Sequence, residues 1–368
     1  MGKKIRVLAI NPGSTTTKIA LFDDFDILFS TAVVHSPQDL SKFADIQDQL
    51  EYRTKMVAKS MAAHGYAMED VDVYAGRGGG LRSVAGGVYT VTDLLAKHAA
   101  TGMNGMHHPA QLGSQIAKKF ADKYGKPAFI VNPPDVDEFS DVARVTGIKG
   151  LYRESHLHAL NQKETAARFC ASRGLKYEET NLIICHTGGG ISITAHKKGQ
   201  MIDSNDIIKG SGPMSPTRAG DLPYMKVLDL AYSGQYTKTE LTNKLNRNGG
   251  LTDYFGTSDM DEVYELIKNG DSFVQLIVDG MIYQHAKYVG SMAAALKGKV
   301  DAIILTGGIS NNAEFTKNLT EYISWIAEVV VMPGEYELQA LASGAIRVLR
   351  GEVEAKEYTG VPVWGGFE

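Results

Sequence analysis

Short apolar runs rich in branched residues alternate along the chain with longer amphipathic stretches, and that alternation predicts an α/β protein. Val7 to Ile10 enters a turn at Asn11, Pro12 and Gly13, Thr17 to Phe22 leaves it, and Ile27 to Val34 follows as a third strand. A helix-like region opened by Pro37 and Asp39 extends to His64 and closes at Gly65. Val71 to Ala75 is a short strand running into Gly76-Arg77-Gly78-Gly79-Gly80. A helix from about Pro109 to Tyr124 stops at Gly125, and the strand Ala128 to Val131 ends in an acidic, proline-stiffened turn from Asn132 to Glu138.

The second half repeats the opening order. Ser155 is positioned to cap a helix from His156 to Arg173, ended by Gly174. Then come a strand (Asn181 to Cys185), a turn (His186 to Gly190), a strand (Ile191 to His196) and a third strand (Gln200 to Asp203). This is a weak internal repeat, in pattern and not in letters. Beyond it, Ser258 and Asp261 resemble a capping-box start for a helix ending at Asn269-Gly270. A long helix, about Ser272 to Lys297, precedes the strand Val300 to Leu305, and Thr306 to Asn312 opens another helix. The last helix, about Glu335 to Arg350, carries Leu338, Leu341, Ile346 and Leu349 as a core-facing stripe.

At 368 residues the chain suits two domains. A net charge of −4 argues against a nucleic-acid partner. Two cysteines, Cys170 and Cys185, make neither a metal knuckle nor a disulfide framework, which favours a reducing, cytoplasmic setting. No apolar run has the length of a membrane span, so no membrane partner is expected.

The chemistry gathers in the turns. Asn11 to Lys18 holds four hydroxyls and an ammonium at a hairpin tip, which suits a phosphate chain with a metal and equally suits a self-capped turn. Arg77 and Arg218 are flanked by small residues, as anion forks or as solvated loop side chains. His156 and His158 are two apart and do not share a helix face, which disfavours a metal pair there. Strand, paired glycines, then helix N-terminus at 305 to 312 is an anion- and nucleotide-binding arrangement and also an ordinary βα turn. The Gly-Lys pairs are followed by Lys4, Pro127 and Val300, so no Walker motif exists, and no G-x-S-x-G elbow or H-E-x-x-H helix is present. What remains suits phosphoryl transfer, which rests on positioning and charge neutralisation.

Asn-Pro-Gly-Ser-Thr-Thr-Thr-Lys at 11 to 18 resembles the first phosphate loop of the acetate and butyrate kinases, within the actin-like ATPase superfold. His-Thr-Gly-Gly-Gly at 186 to 190 resembles their second phosphate loop, and Thr-Gly-Gly-Ile-Ser-Asn-Asn at 306 to 312 their adenosine loop. His-Ala-Leu-Asn-Gln-Lys at 158 to 163 and Gly-Pro-Met-Ser-Pro-Thr-Arg-Ala-Gly at 212 to 220 look like the butyrate branch. The resemblance implies a duplicated β-β-β-α-β-α-β-α fold, with domains at 1–150 and 151–334, ATP between them, and segment 335–368 packing back on the first.

It further implies Mg²⁺ near Asn11, with Glu335 or Glu337 serving the metal, and Lys18 near the phosphates. His186, Thr187, Gly188, Gly189 and Gly190, with Gly308, Ile309, Ser310, Asn311 and Asn312, would bind ATP. Arg77 would hold the carboxylate or acyl phosphate and Arg218 the phosphoryl group in flight. The family aspartate maps to Asn132, Asp135 or Asp137, with Asp137 favoured. His108 and Pro216 would border the acid, though His108 equally fits a helix start. Gln162 stands where the family has a second histidine, and Asp259-Met260-Asp261 lacks the arginine of an adenine-side segment. The implied activity is ATP-dependent phosphorylation of a short-chain fatty acid such as butyrate or isobutyrate, by a homodimer or higher homo-oligomer. Other readings are an acetate, propionate or branched-chain acid kinase, a sugar kinase or polyphosphate hydrolase of the same superfold, and a non-metabolic ATP switch.

Overall fold

The computed structural model describes residues 4–103, 105, 107–209 and 211–367. The chain divides into two units: Met1–Asp137 with Ala159–Glu164 and Tyr336–Glu368, and Glu138–His158 with Thr165–Glu335. The division falls at 137/138 and not at 150. The reason is local: Glu138 accepts a bond from the Met201 amide, and the Ser140 amide donates to Ile202, so both sides of this segment serve the second sheet.

The first unit is built on strands β1 (Arg6–Pro12), β2 (Thr16–Asp23), β3 (Asp26–Val34), β4 (Val73–Gly76), β5 (Val88–Thr90) and β6 (Ala128–Val131). They lie in the order β3-β2-β1-β4-β6-β5. β1, β2 and β3 pair antiparallel, and β1, β4 and β6 run parallel. Central β1 reads as a continuous apolar run because both faces are covered. Val7 and Ala9 pack with Leu341, Ala345 and Ile346 of the helix Glu337–Leu349. On the other face Tyr74 of β4 meets Phe120, part of the Leu112, Ile116, Phe120 stripe of the helix Gln111–Tyr124. That helix ends at Gly125 in the left-handed region, as a C-terminal glycine should.

The second unit holds β7 (Asn181–Thr187), β8 (Ile191–Lys197), β9 (Gln200–Ser204), β10 (Ala302–Thr306) and β11 (Glu328–Val331), ordered β11-β10-β7-β8-β9. An antiparallel triple followed by parallel additions beside its first strand is thus common to both sheets. Ile183, Cys185, Ile303 and Leu305 face the helices Ser272–Ala295 and Ala313–Ile323, while Leu182, Ile184 and Ile304 face Phe169 of the helix Ala159–Ser172.

Several expected elements differ. The helix expected at His156 begins at Ala159, without a cap from Ser155, because His158 turns its ring and amide onto the Ser192 hydroxyl. The helix expected at Ser258 is Met260–Lys268, and the Asp259 carboxylate caps it. The region 37–64 is two helices, Pro37–Leu40 and Leu50–Ala63, separated where Asp45 and Asp48 bond to nearby amides. The turn after β10 is a 3-10 turn, Ile309–Asn311, before the α-helix that Asn312 caps. β5 and the helices Asp93–Thr101, Tyr224–Tyr232, Lys238–Asn246 and Leu251–Phe255 have no counterpart in the pattern reading. No described helix is long and apolar enough to cross a membrane.

Candidate active site

In the first unit, Asn11 and Lys18 are cross-strand partners at the turn end of the β1–β2 hairpin, so their side chains share one face. The Arg77 amide bonds to Ile10 O at 2.8 Å, which carries the β4–β1 ladder one residue past the strand and fixes where the side chain starts. A Cβ on Gly113 would lie 2.7 Å from the Arg77 amide nitrogen, so only glycine lets the helix Gln111–Tyr124 approach this closely. The Arg77 guanidinium pairs with Glu337, whose second oxygen accepts from the Asn11 amide. Both members of the pair are largely buried. Arg77 Nε is buried with no hydrogen-bond partner among the described residues.

Of the acidic turn, Asn132 accepts from the Gly87 amide and Asp135 from the Leu81 amide. Those two side chains organise the loop after Arg77. Asp137 is buried, at 8 % exposure, and its amide donates to Val84 O at 2.8 Å. His108 is exposed, and its Nδ1 accepts from the Ala110 amide at 3.2 Å, a role in starting the helix.

The second unit joins three loops. Gly188 N bonds to Gly190 O, which closes the turn between β7 and β8. Thr187 Oγ1 donates to Thr306 O at 3.0 Å and shares a 2.9 Å bond with Ser310, so the 186–190 and 306–312 segments meet. Gly307, at φ +91°, crosses the Thr187 backbone too closely for any side chain. Ser215 and Thr217 hydroxyls both donate to Gly189 O, at 2.7 and 2.8 Å, and tether the third loop. Arg218 then lies across Gly190, where a Cβ would overlap its guanidinium. Its Nε and Nη1 are buried and have no partner among the described residues. Burial, opposed by the charge of Asp206, pulls the Arg218 pKa below the ordinary guanidinium range, and the group stays a cation at neutral pH.

Around it opens a cavity of about 610 Å³, lined on its apolar side by Ile191, Leu222, Val227 and Leu228. Pro216, buried nearby in sequence, accepts from Thr252 and does not line that cavity. Asn311 and Asn312 direct their side chains to Gly308 O and the Phe315 amide, as local turn and cap. Glu335 belongs to this unit, 4.0 Å from His186, while Glu337 belongs to the first with Asn11. His186 stacks on His158 with centroids 3.8 Å apart. The sequence marks His158 as a disfavoured metal ligand and as the first residue of the 158–163 segment that resembles the butyrate branch; only the fold supplies the ring beside it. No cluster of three His, Cys, Asp or Glu suited to a metal exists among the described residues.

Two parallel-cored sheets that each begin with an antiparallel triple, with small-residue turns after β1, β7 and β10, define an actin-like α/β protein. Structures similar to this chain are an acetate kinase from Porphyromonas gingivalis (20% identity, TM-score 0.75, 94% of this chain and 100% of that one) and a propionate kinase from Francisella tularensis subsp. tularensis SCHU S4 (20%, 0.70, 92% and 98%). A third is an acetate kinase from Entamoeba histolytica (16%, 0.75, 93% and 99%). At these identities they establish the fold. The model of the Acetokinase family matches residues 152–326, a stretch that contains His158, the 186–190 turn, Arg218 and the 306–312 turn. Over that stretch, just under half of the chain, the sequence matches the acetokinase family. That match supports a short-chain carboxylate kinase.

Proposed function

We propose that this protein reversibly transfers the γ-phosphoryl group of ATP to butyrate or a similarly short acid, giving ADP and an acyl phosphate. The observation that carries the reading is Arg218: a largely buried cation held across a glycine turn of the family-matched segment, with two buried nitrogens unsatisfied among the described residues. A buried donor without an acceptor is costly, and an anion relieves that cost.

The reaction balances as a direct displacement. A carboxylate oxygen forms a bond to the γ-phosphorus while the bond from that phosphorus to the β–γ bridging oxygen breaks, and the bridging oxygen leaves with ADP. Arg218 neutralises the transferring group. Arg77 holds the acid or acyl phosphate; Glu337 sits on its guanidinium as a carboxylate would, which supports that role. Lys18 and the 186–190 turn take the phosphates, and the 308–312 turn takes the nucleoside through its backbone and Ile309, its two asparagine side chains being bonded locally. Asp137 is buried, with its amide anchored to Val84 O at 2.8 Å, and is assigned the catalytic aspartate's place. Mg²⁺ keeps several waters and needs only one or two protein oxygens beside phosphate, so Asn11 with Glu337 fits it better than a preformed cage. When bound, the metal supplies charge neutralisation of the phosphates.

The apolar wall beside Arg218 supports an acceptor with a hydrocarbon tail longer than that of acetate. Each buried methylene contributes only ~0.8 kcal/mol, so neighbouring chain lengths should be accepted within a few-fold. Exposed Tyr224, Met225, Leu228 and Tyr232 on one short helix support a homo-oligomer. The test is hydroxylamine trapping of acyl phosphate from ATP, Mg²⁺ and a panel of straight and branched two- to six-carbon acids. Product with four- and five-carbon acids is expected; no product from any acid sinks the proposal.

A further inference from the structure

The helix Leu50–Ala63 carries a charged residue that none of the roles above uses. Arg53 has no solvent exposure, and it points under the β1–β2 turn. Its Nη1 donates to Gly13 O at 2.9 Å, to Thr16 O at 3.3 Å and to Thr17 Oγ1 at 3.1 Å. Nη2 donates to Ser14 O at 3.1 Å, and Nε to the Gln49 side chain at 2.9 Å. No carboxylate among the described residues pairs with it, and burial pushes its pKa down to about 10. At neutral pH it is therefore a buried cation facing only carbonyls and a hydroxyl. Isolated buried charges of this kind are expensive unless an anion shares their field.

The same contacts orient the turn. The carbonyls of Gly13, Ser14 and Thr16 point inward to Arg53, and Thr15 O accepts from the His35 amide at 2.9 Å. Ser14 and Thr15 are exposed, and their amide N–H groups bond to no acceptor among the described residues. Thr17 is locked from behind by His35 Nε2 at 2.8 Å. With its carbonyls gathered inward, the turn presents N–H groups outward, over a buried positive charge. Successive outward amides form an anion-binding concavity.

The structure assigns Arg53 as a positioning residue that holds the Gly13–Thr17 turn as a seat for a phosphoryl group, its charge acting through the backbone without touching the ligand. The assignment rests on the phosphoryl-transfer reading only for its place in turnover, and its anion chemistry stands on the turn itself. The ligand class is a polyphosphate or acyl phosphate oxygen.

The experiment compares wild type with R53M, which removes the charge, and R53K, which keeps the charge and loses the fork. Inorganic pyrophosphate binding is measured by calorimetry on the full chain, and acyl phosphate formation by hydroxylamine trapping. R53M should bind pyrophosphate at least tenfold more weakly than wild type and show a matching rise in the KM for ATP, with R53K between the two. A purely structural Arg53 lowers the unfolding midpoint and leaves the pyrophosphate dissociation constant of the folded variants unchanged; that result overturns the assignment, as does wild type that binds no pyrophosphate. Should R53M fail to fold, R53K with wild-type affinity overturns it equally. Wild type that binds pyrophosphate through Arg53 but phosphorylates no acid overturns the kinase reading and leaves this one standing.

Discussion

Arg218 lies where it does because Gly190 has no side chain, and the pair sets the residue-scale expectations. Gly190→Ala places a methyl group in the space of the guanidinium, so Arg218 must move while the fold persists. We expect kcat to fall by roughly ten- to a hundredfold, as misplacement of a positioned group does, with an unchanged circular dichroism spectrum. Arg218→Ala and Arg77→Ala remove the cations outright and should each lower kcat by about a thousandfold in the trapping assay; near-normal turnover would refute their roles. His35 offers a pH prediction. Burial first, and the charge of Arg53 second, push its pKa down to about 4 from the ordinary 6.5. The folded state therefore resists a proton that the unfolded chain accepts, so stability is full above about 6.5 and falls as pH drops towards 4. Buried His285, also pushed to about 4 by desolvation, adds to the same slope. Urea midpoints at pH 7, 5.5 and 4.5 should decline, and His35→Gln should flatten the decline by about half.

At the scale of elements, the helix Gln111–Tyr124 must touch the end of β4 for Arg77 to emerge where it does. Gly113→Ala puts a Cβ 2.7 Å from the Arg77 amide, and strain of this kind typically costs 1–3 kcal/mol, or about that much here. The same change should reduce kcat, which separates it from a core substitution. Leu341→Ala, in the helix on the opposite face, should cost about 2–5 kcal/mol in urea denaturation with little effect on KM. The sequence pattern located these elements well where they are buried on both faces. Apolar Val7 to Ile10 and Ala128 to Val131 read as strands, and the Leu112, Ile116, Phe120 stripe read as a helix. It failed at helix starts. Ser155 looked like a cap, but the Ser192 hydroxyl, distant in sequence, engages His158 and delays the helix. It also missed the helix Tyr224–Tyr232, which buries none of its side chains and so shows no clear apolar stripe against a core.

On the scale of the whole molecule, two sheets of like order account for the weak repeat, since strand order is kept where letters are not. Ligand linkage gives the corresponding test. Mg²⁺ with ATP at a hundred times its dissociation constant should stabilise the chain by about 2.7 kcal/mol, measured as a raised unfolding midpoint. Excess chelator should remove most of that gain, because Asn11 and Glu337 alone do not neutralise a triphosphate.

By itself the sequence determined the alternation of strands and helices, the three small-residue turns and the two arginines flanked by small residues, because those features depend on neighbours along the chain. Tertiary structure alone decided which glutamate joins Asn11, that Asn132 and Asp135 serve the backbone, and that His158 stacks on His186. It also put Arg53 beneath the first turn, 36 residues from Thr17 in sequence. Such pairings join residues tens to hundreds of positions apart, and their energies exist only once burial has removed the water that would otherwise satisfy each group separately.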